Sequence, residues 1–190
     1  MSLLIIDNYD SFTYNIVHAL RTLGVTADVR RNDKITVDDA ARYPAIIISP
    51  GPGIPSEAGI VPELLKKISD GRSKVLGVCL GHQAIGEAFG AKLINLPKVY
   101  HGLQTLITVL DNQDAIFTGL PEQLQVGRYH SWAIDTNDFP HDTLKITATD
   151  SEGHIMALRH QTLPIYGLQF HPESVLTPQG NQMIENWLKI

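Results

Sequence analysis

The stretch Lys74–Gly90, KVLGVCLGHQAIGEAFG, leaves the chain few ways to fold. Lys74–Val78 is a short apolar run suited to a strand buried on both faces, and Gln83–Phe89 carries Ala84, Ile85, Ala88 and Phe89 at helical spacing. Cys79 therefore falls at a strand-to-helix turn, with Gly77 and Gly81 two residues to either side. That Gly-x-nucleophile-x-Gly spacing permits a turn too tight for flanking Cβ atoms, and such a turn puts its central side chain on show. Unpaired amides and the positive dipole end of the first helical turn favour thiolate over thiol, which makes Cys79 a candidate nucleophile. A free cysteine in an arbitrary sequence is more often a small buried hydrophobe. The two glycines behind an apolar strand favour the reactive reading.

One domain, 1–190, accommodates the whole chain, since 190 residues can bury about 70% of their unfolded surface. Acidic residues outnumber basic ones 20 to 15, and Lys and Arg are scattered, so neither nucleic acid nor an anionic membrane is expected as a partner. A single cysteine cannot close an internal disulfide. The apolar start Leu3–Ile6 ends at Asp7, too short for a signal peptide or a spanning helix, so a cytoplasmic chain is expected.

In chain order, Leu3–Ile6 reads as a buried strand, and Asp7–Ser11 as a polar turn with ready N-cap residues from which a helix starts. Phe12, Ile16, Ala19, Leu20 and Leu23 keep the 3.6 period until Gly24, and Ala27–Arg31 returns as a strand. A short helix fits Asp38–Tyr43, the β-branched run Ala45–Ile48 leads into Ser49-Pro50-Gly51-Pro52-Gly53, and a further helix is predicted across Pro62–Ser69. This alternation predicts an α/β fold of three layers, a mostly parallel sheet flanked by helices, with antiparallel additions in the C-terminal half. The additions are short strand candidates at Lys92–Leu96, Gln104–Leu110, Leu124–Tyr129, Leu144–Thr149, Ile155–Arg159 and Ile165–Phe170, and Gln179–Leu188 closes the chain as an amphipathic helix. Ligands of such sheets bind beyond the carboxyl ends of the strands, where Asp10, Gly51–Gly53 and Cys79 all fall.

A thiol nucleophile needs a base, and eight histidines compete. His171 follows the apolar strand Pro164–Phe170, and Pro172 is expected to hold its backbone extended, so that Glu173 faces the same way and orients the imidazole. A satisfied polar pair and a pair of metal ligands are the other readings of His-x-Glu. With one cysteine and no companion ligand at metal spacing, the metal is disfavoured. His130, in Arg128-Tyr129-His130-Ser131-Trp132, is the second candidate base, and His82 is expected to turn away from the thiol in a packing or surface role. Ser49–Gly53 offers open backbone amides that, with the amide of Leu80, make a candidate oxyanion hole, though a plain turn fits the residues equally well. It has neither Gly-x-Gly-x-x-Gly spacing nor a Gly-Lys-Ser/Thr end, which disfavours phosphate.

Taken together these segments resemble the class I glutamine amidotransferases of the triad type, over nearly the whole chain. The motifs that carry the likeness are Asp7-Asn8-Tyr9-Asp10-Ser11-Phe12-Thr13, Ser49-Pro50-Gly51-Pro52-Gly53, Gly77-Val78-Cys79-Leu80-Gly81-His82-Gln83, Arg128-Tyr129-His130-Ser131 and Gln169-Phe170-His171-Pro172-Glu173-Ser174. The resemblance implies Cys79 as nucleophile, His171 as base and Glu173 as its orienter, with Gly51, Pro52, Gly53, Leu80, Gln83, Ser131 and Trp132 holding L-glutamine. The first and fourth motifs look like the branch that serves chorismate enzymes, which implies a glutaminase subunit passing ammonia to a chorismate-binding synthase large subunit. The version Gly51–Gly59 tilts this toward anthranilate synthase (tryptophan biosynthesis) over aminodeoxychorismate synthase (folate biosynthesis), and a stand-alone γ-glutamyl cysteine hydrolase is the third reading. No cofactor is implied on this chain, Mg²⁺ being expected only on the synthase partner. One departure is Leu103, where relatives often carry lysine, which bears on surface or partner contacts and not on the chemistry.

Overall fold

The computed structural model describes residues 2–190. The first half alternates strands and helices: β1 (Leu3–Asp7), α1 (Thr13–Thr22), β2 (Asp28–Arg31), α2 (Val37–Ala40), β3 (Ala45–Ile48), α3 (Val61–Lys67), β4 (Lys74–Val78) and α4 (Leu80–Ala88). Every residue of β1, β3 and β4 is buried, because helices cover both faces of the sheet and no face is left for polar side chains. The second half is β5 (Leu93–Asn95), β6 (Leu103–Val109), β7 (Gln123–Arg128), β8 (Trp132–Ile134), β9 (Leu144–Asp150), β10 (Ile155–His160), β11 (Ile165–Leu168) and α5 (Gly180–Lys189).

Nine strands form one sheet in the order β2-β1-β3-β4-β11-β10-β9-β6-β7. The segment β2 to β11 is parallel and the rest antiparallel, as expected from the change of texture after Gly90. Alternate residues feed two apolar layers. Leu3, Ile5, Ile47 and Leu76 pack with Ile16 and Leu20 of α1 and Trp187 of α5, while Leu4, Ile6, Ile46 and Val75 pack with Leu64 of α3 and Ile85 of α4.

Two local expectations differ from the structure. Asp7–Ser11 does not cap α1, whose N-cap is Phe12 with no side-chain bond; Asp7 ends β1 instead. Its Oδ1 accepts from Tyr9 N and Thr13 Oγ1, both at 2.9 Å, so the acidic side chain closes the loop rather than the helix. Trp132–Ile134 lies outside the predicted strands, yet it pairs antiparallel with β5 in a separate two-stranded ribbon, so β5 does not join the main sheet. Three residues are too few for periodicity to register.

Candidate active site

Cys79 occupies the N-cap position of α4 at φ 52° and ψ −100°, a strained conformation for a non-glycine residue. Tight packing around the turn forces it. A Cβ on Gly81 would lie 2.5 Å from Ile48 O, and one on Gly77 would run into the backbone of Gly81. The flanking glycines thus serve close approach, as their spacing predicts, and the unusual φ falls on the cysteine itself. Cys79 N donates to Leu168 O at 2.8 Å, tying the turn to β11.

The thiol is only 6% exposed, so it is not displayed to bulk water as its turn suggests. It faces a small cavity of about 160 Å³ lined by Gly51, Pro52, Gly53, Gln83, Tyr129, His130, Ser131 and Trp132. This gathers the predicted glutamine-binding residues with one exception. Leu80 buries its side chain in the layer under α4, so only its backbone amide can serve the site. Larger surface hollows, such as one of about 590 Å³ over Arg30, Lys34 and Arg42, contain no thiol.

The Pro50–Gly53 loop is held from behind. Asn8 N donates to Ser49 Oγ at 2.9 Å and Asn8 Nδ2 to Ser49 O at 2.8 Å, while Asn32 Nδ2 donates to Asn8 Oδ1 at 3.0 Å. A Cβ on Gly51 would stand 2.6 Å from both Asn8 Cβ and Leu80 Cδ2, so glycine lets the loop close onto the start of α4.

His171 and Glu173 meet as predicted, Nδ1 to Oε1 at 2.8 Å, but by a different backbone route. β11 ends at Leu168, and Ser174 N bonds back to His171 O at 3.2 Å, so a turn rather than extended chain brings Glu173 round. The rings of Phe12 and Tyr129 stand edge-on to the imidazole at 5.0 and 4.8 Å. Burial disfavours the imidazolium, yet hydrogen bonding and negative charge from Cys79 and Glu173 outweigh it and raise the His171 pKa to about 10. Its Nε2 makes no fully formed hydrogen bond and interacts only loosely with the sulfur, the kind of contact that tightens when substrate enters. Thiol, imidazole and carboxylate in that order suit nucleophilic attack on a carbonyl.

His130, the second candidate base, is committed elsewhere. Its Nε2 accepts from Arg128 Nε at 3.1 Å and its Nδ1 bonds to Trp132 O at 2.9 Å, and burial with the adjacent guanidinium lowers its pKa to about 3. His82 is fully buried against Gly167, and burial lowers its pKa to about 3 as well. It takes the packing role. Gln169 was missed: fully buried, it directs Nε2 to Cys79 Sγ at 3.7 Å and accepts from Gln83 Nε2 at 3.2 Å through Oε1. Its position two residues before His171 was the available signal.

Among the described residues no three His, Cys, Asp or Glu side chains gather as a metal site needs, and no helix is long and apolar enough to cross a membrane.

Residues 4–190 match the family model for glutamine amidotransferase class-I. The chain is 44% identical over 190 residues to a putative anthranilate synthase component II of Haemophilus influenzae, covering 100% of this chain and 97% of that protein. It is 45% identical over 196 residues to anthranilate synthase component 2 of Pseudomonas putida, with 100% and 97% covered. It is also 44% identical to the chloroplastic anthranilate synthase beta subunit 2 of Oryza sativa, covering 99% of this chain and 70% of that one. Among solved structures, a putative GMP synthase protein of Thermoplasma acidophilum superposes with a TM-score of 0.88 at 28% identity, over 100% of this chain and 92% of that one. With its sheet, its turn at Cys79 and its sequence all in agreement, the chain belongs to the class-I glutamine amidotransferase family.

Proposed function

We propose that residues 1–190 form one cytoplasmic domain that hydrolyses L-glutamine at Cys79 and hands the ammonia to a chorismate-binding synthase subunit, as the small subunit of anthranilate synthase in tryptophan biosynthesis. One observation carries the chemistry: Cys79, at the N-cap position of α4, turns its thiol into a cavity walled by Gly51–Gly53 and Ser131–Trp132, beside the paired His171 and Glu173. The similarity to anthranilate synthase component 2 of two bacteria supports the choice of pathway.

In this reading the Cys79 thiolate adds to the side-chain carboxamide carbon of glutamine, and the oxyanion is held by the amide of Leu80 and one from the Gly51–Gly53 loop. His171 then gives its proton to the departing nitrogen, and ammonia leaves a γ-glutamyl thioester on the sulfur. Deprotonated His171 next takes a proton from water, whose oxygen attacks the thioester to release glutamate and restore the thiolate. Glu173 keeps the imidazole oriented and offsets its charge through both steps. The chemistry uses no cofactor on this chain, and Mg²⁺ is assigned to the synthase partner.

The test is glutamate release from the chain alone, with chorismate plus an anthranilate synthase large subunit, and with the aminodeoxychorismate counterpart. Activation of at least about tenfold by the first partner is expected, as for a site that a small displacement leaves misaligned until the partner docks. Activation by the second alone moves the chain to folate synthesis, and full activity in isolation makes it a stand-alone hydrolase.

A further inference from the structure

Behind the cavity wall lies a buried ion pair that the proposed chemistry does not use. Arg128, at the end of β7 and 1% exposed, donates from Nη1 to Asp150 Oδ2 at 2.7 Å, and its guanidinium lies 3.5 Å above the ring of Tyr100. Tyr100 in turn stacks on His130 at 5.3 Å. Asp150 has a further partner in His154 Nδ1 at 2.7 Å, so the carboxylate is fixed from both sides.

Arginine has donors and no acceptor, and this dictates the direction of every bond that follows. Because Arg128 Nε donates to His130 Nε2, that nitrogen must hold a lone pair, and the ring proton must sit on Nδ1. Nδ1–H then donates to Trp132 O at 2.9 Å. The same carbonyl accepts from Gln83 Nε2 at 2.9 Å, Gln83 Nε2 also reaches Gln169 Oε1 at 3.2 Å, and Gln169 is thereby left with its amide nitrogen toward Cys79 Sγ. Burial and the guanidinium keep His130 neutral, which keeps its Nε2 an acceptor.

We propose that Arg128 is a positioning residue for the glutamine-binding wall. By fixing the His130 tautomer it locks the Trp132 carbonyl, and through it the Gln83 and Gln169 amides, in the orientation that receives the substrate. The inference rests on the glutaminase reading of the cavity. Arg128 touches neither thiol nor substrate, so its loss should impair recognition of glutamine far more than reactivity of the sulfur.

The experiment compares two alkylating reagents on the full chain in complex with an anthranilate synthase large subunit and chorismate: a glutamine-like diazoketone, which must seat in the cavity to react with Cys79, and iodoacetamide, which needs only an accessible thiolate. In Arg128→Met the labelling rate with the diazoketone is expected to fall about tenfold or more, with iodoacetamide within about twofold of wild type. Arg128→Lys keeps a cation for Asp150 but cannot offer the planar fork, and the same selective loss is expected in it. Unchanged rates with both reagents in either variant overturn the proposal. Parallel loss of both in both variants makes Arg128 a folding residue and overturns it too. A wild-type complex that takes iodoacetamide and refuses the diazoketone removes the glutaminase reading itself, an outcome visible before any variant is made.

Discussion

Glu173 Oε1 accepts from His171 Nδ1 at 2.8 Å, and because that nitrogen is occupied, Nε2 is the only His171 nitrogen left to exchange protons with the thiol. Glu173 has its other carboxylate oxygen buried without a partner, so its charge is balanced chiefly by the imidazolium. His171→Ala is therefore expected to slow thioester formation by at least about 10²-fold, the usual scale for a lost general acid–base group. Glu173→Gln should cost less, since an amide oxygen can still accept from Nδ1. Single-turnover glutamate release measures both, and a larger loss in Glu173→Gln reverses their ranking.

Cys79→Ala should abolish glutamine-dependent synthesis in the complex with the large subunit while synthesis from ammonium salt continues. In the proposed mechanism only the thiol forms the thioester, and the synthase subunit takes ammonia whatever its source. Glutamine-dependent turnover persisting in this variant removes Cys79 from the mechanism.

Gly81→Ala places a methyl group against Ile48 O at 2.5 Å and Ile48 Cβ at 2.9 Å, neither of which can yield cheaply. The expected loss is about 1–3 kcal/mol, as for other overpacked interiors, together with a displaced Cys79. Urea unfolding midpoints give the first and iodoacetamide labelling rates the second. A variant of wild-type stability would mean that the turn can open without cost.

His82 and His130 both have folded pKa values of about 3, below the ordinary 6.5. For histidines depressed in this way the unfolded chain binds protons that the fold refuses, so stability is intact above about pH 6.5 and declines as pH falls toward 3. The slope is on the order of 1 kcal/mol per pH unit for each. His171 has the opposite sign: raised to about 10, its contribution is complete below about 6.5 and fades as pH rises through 10. His82→Gln should flatten the acid limb of stability between pH 6 and 4 in chemical denaturation, and an unchanged slope removes His82 from that limb.

Most of the sheet and nearly all of the cavity were legible in the sequence, for reasons particular residues make plain. Strands such as Ala45–Ile48 are short, apolar and bounded by turn residues, and Gly77, Cys79 and Gly81 lie close together in the chain, so local steric rules apply to them directly. Gln169 and the Arg128–Asp150 pair escaped because their roles depend on partners far along the chain, and a single sequence carries no record of such pairings. That Leu80 is a core side chain was not legible, since α4 begins at Leu80 itself and turns that side chain inward. Glu173 reached its predicted partner by an unpredicted turn, as the sequence spacing was compatible with both routes.

Sheet order also sets a timetable. The strand that leads to His171 inserts between β4 and β10, so Cys79 and His171 follow neighbouring strands although 92 residues separate positions 79 and 171. At about 5–20 residues per second of synthesis, a nascent chain carries Cys79 for roughly 5–20 s before His171 has even been made. During that interval Cys79 lacks its neighbour His171, and the sheet lacks the strand that lies between β4 and β10. In the proposed mechanism glutamine cleavage therefore waits until β11 has docked and brought His171 to the side of Cys79.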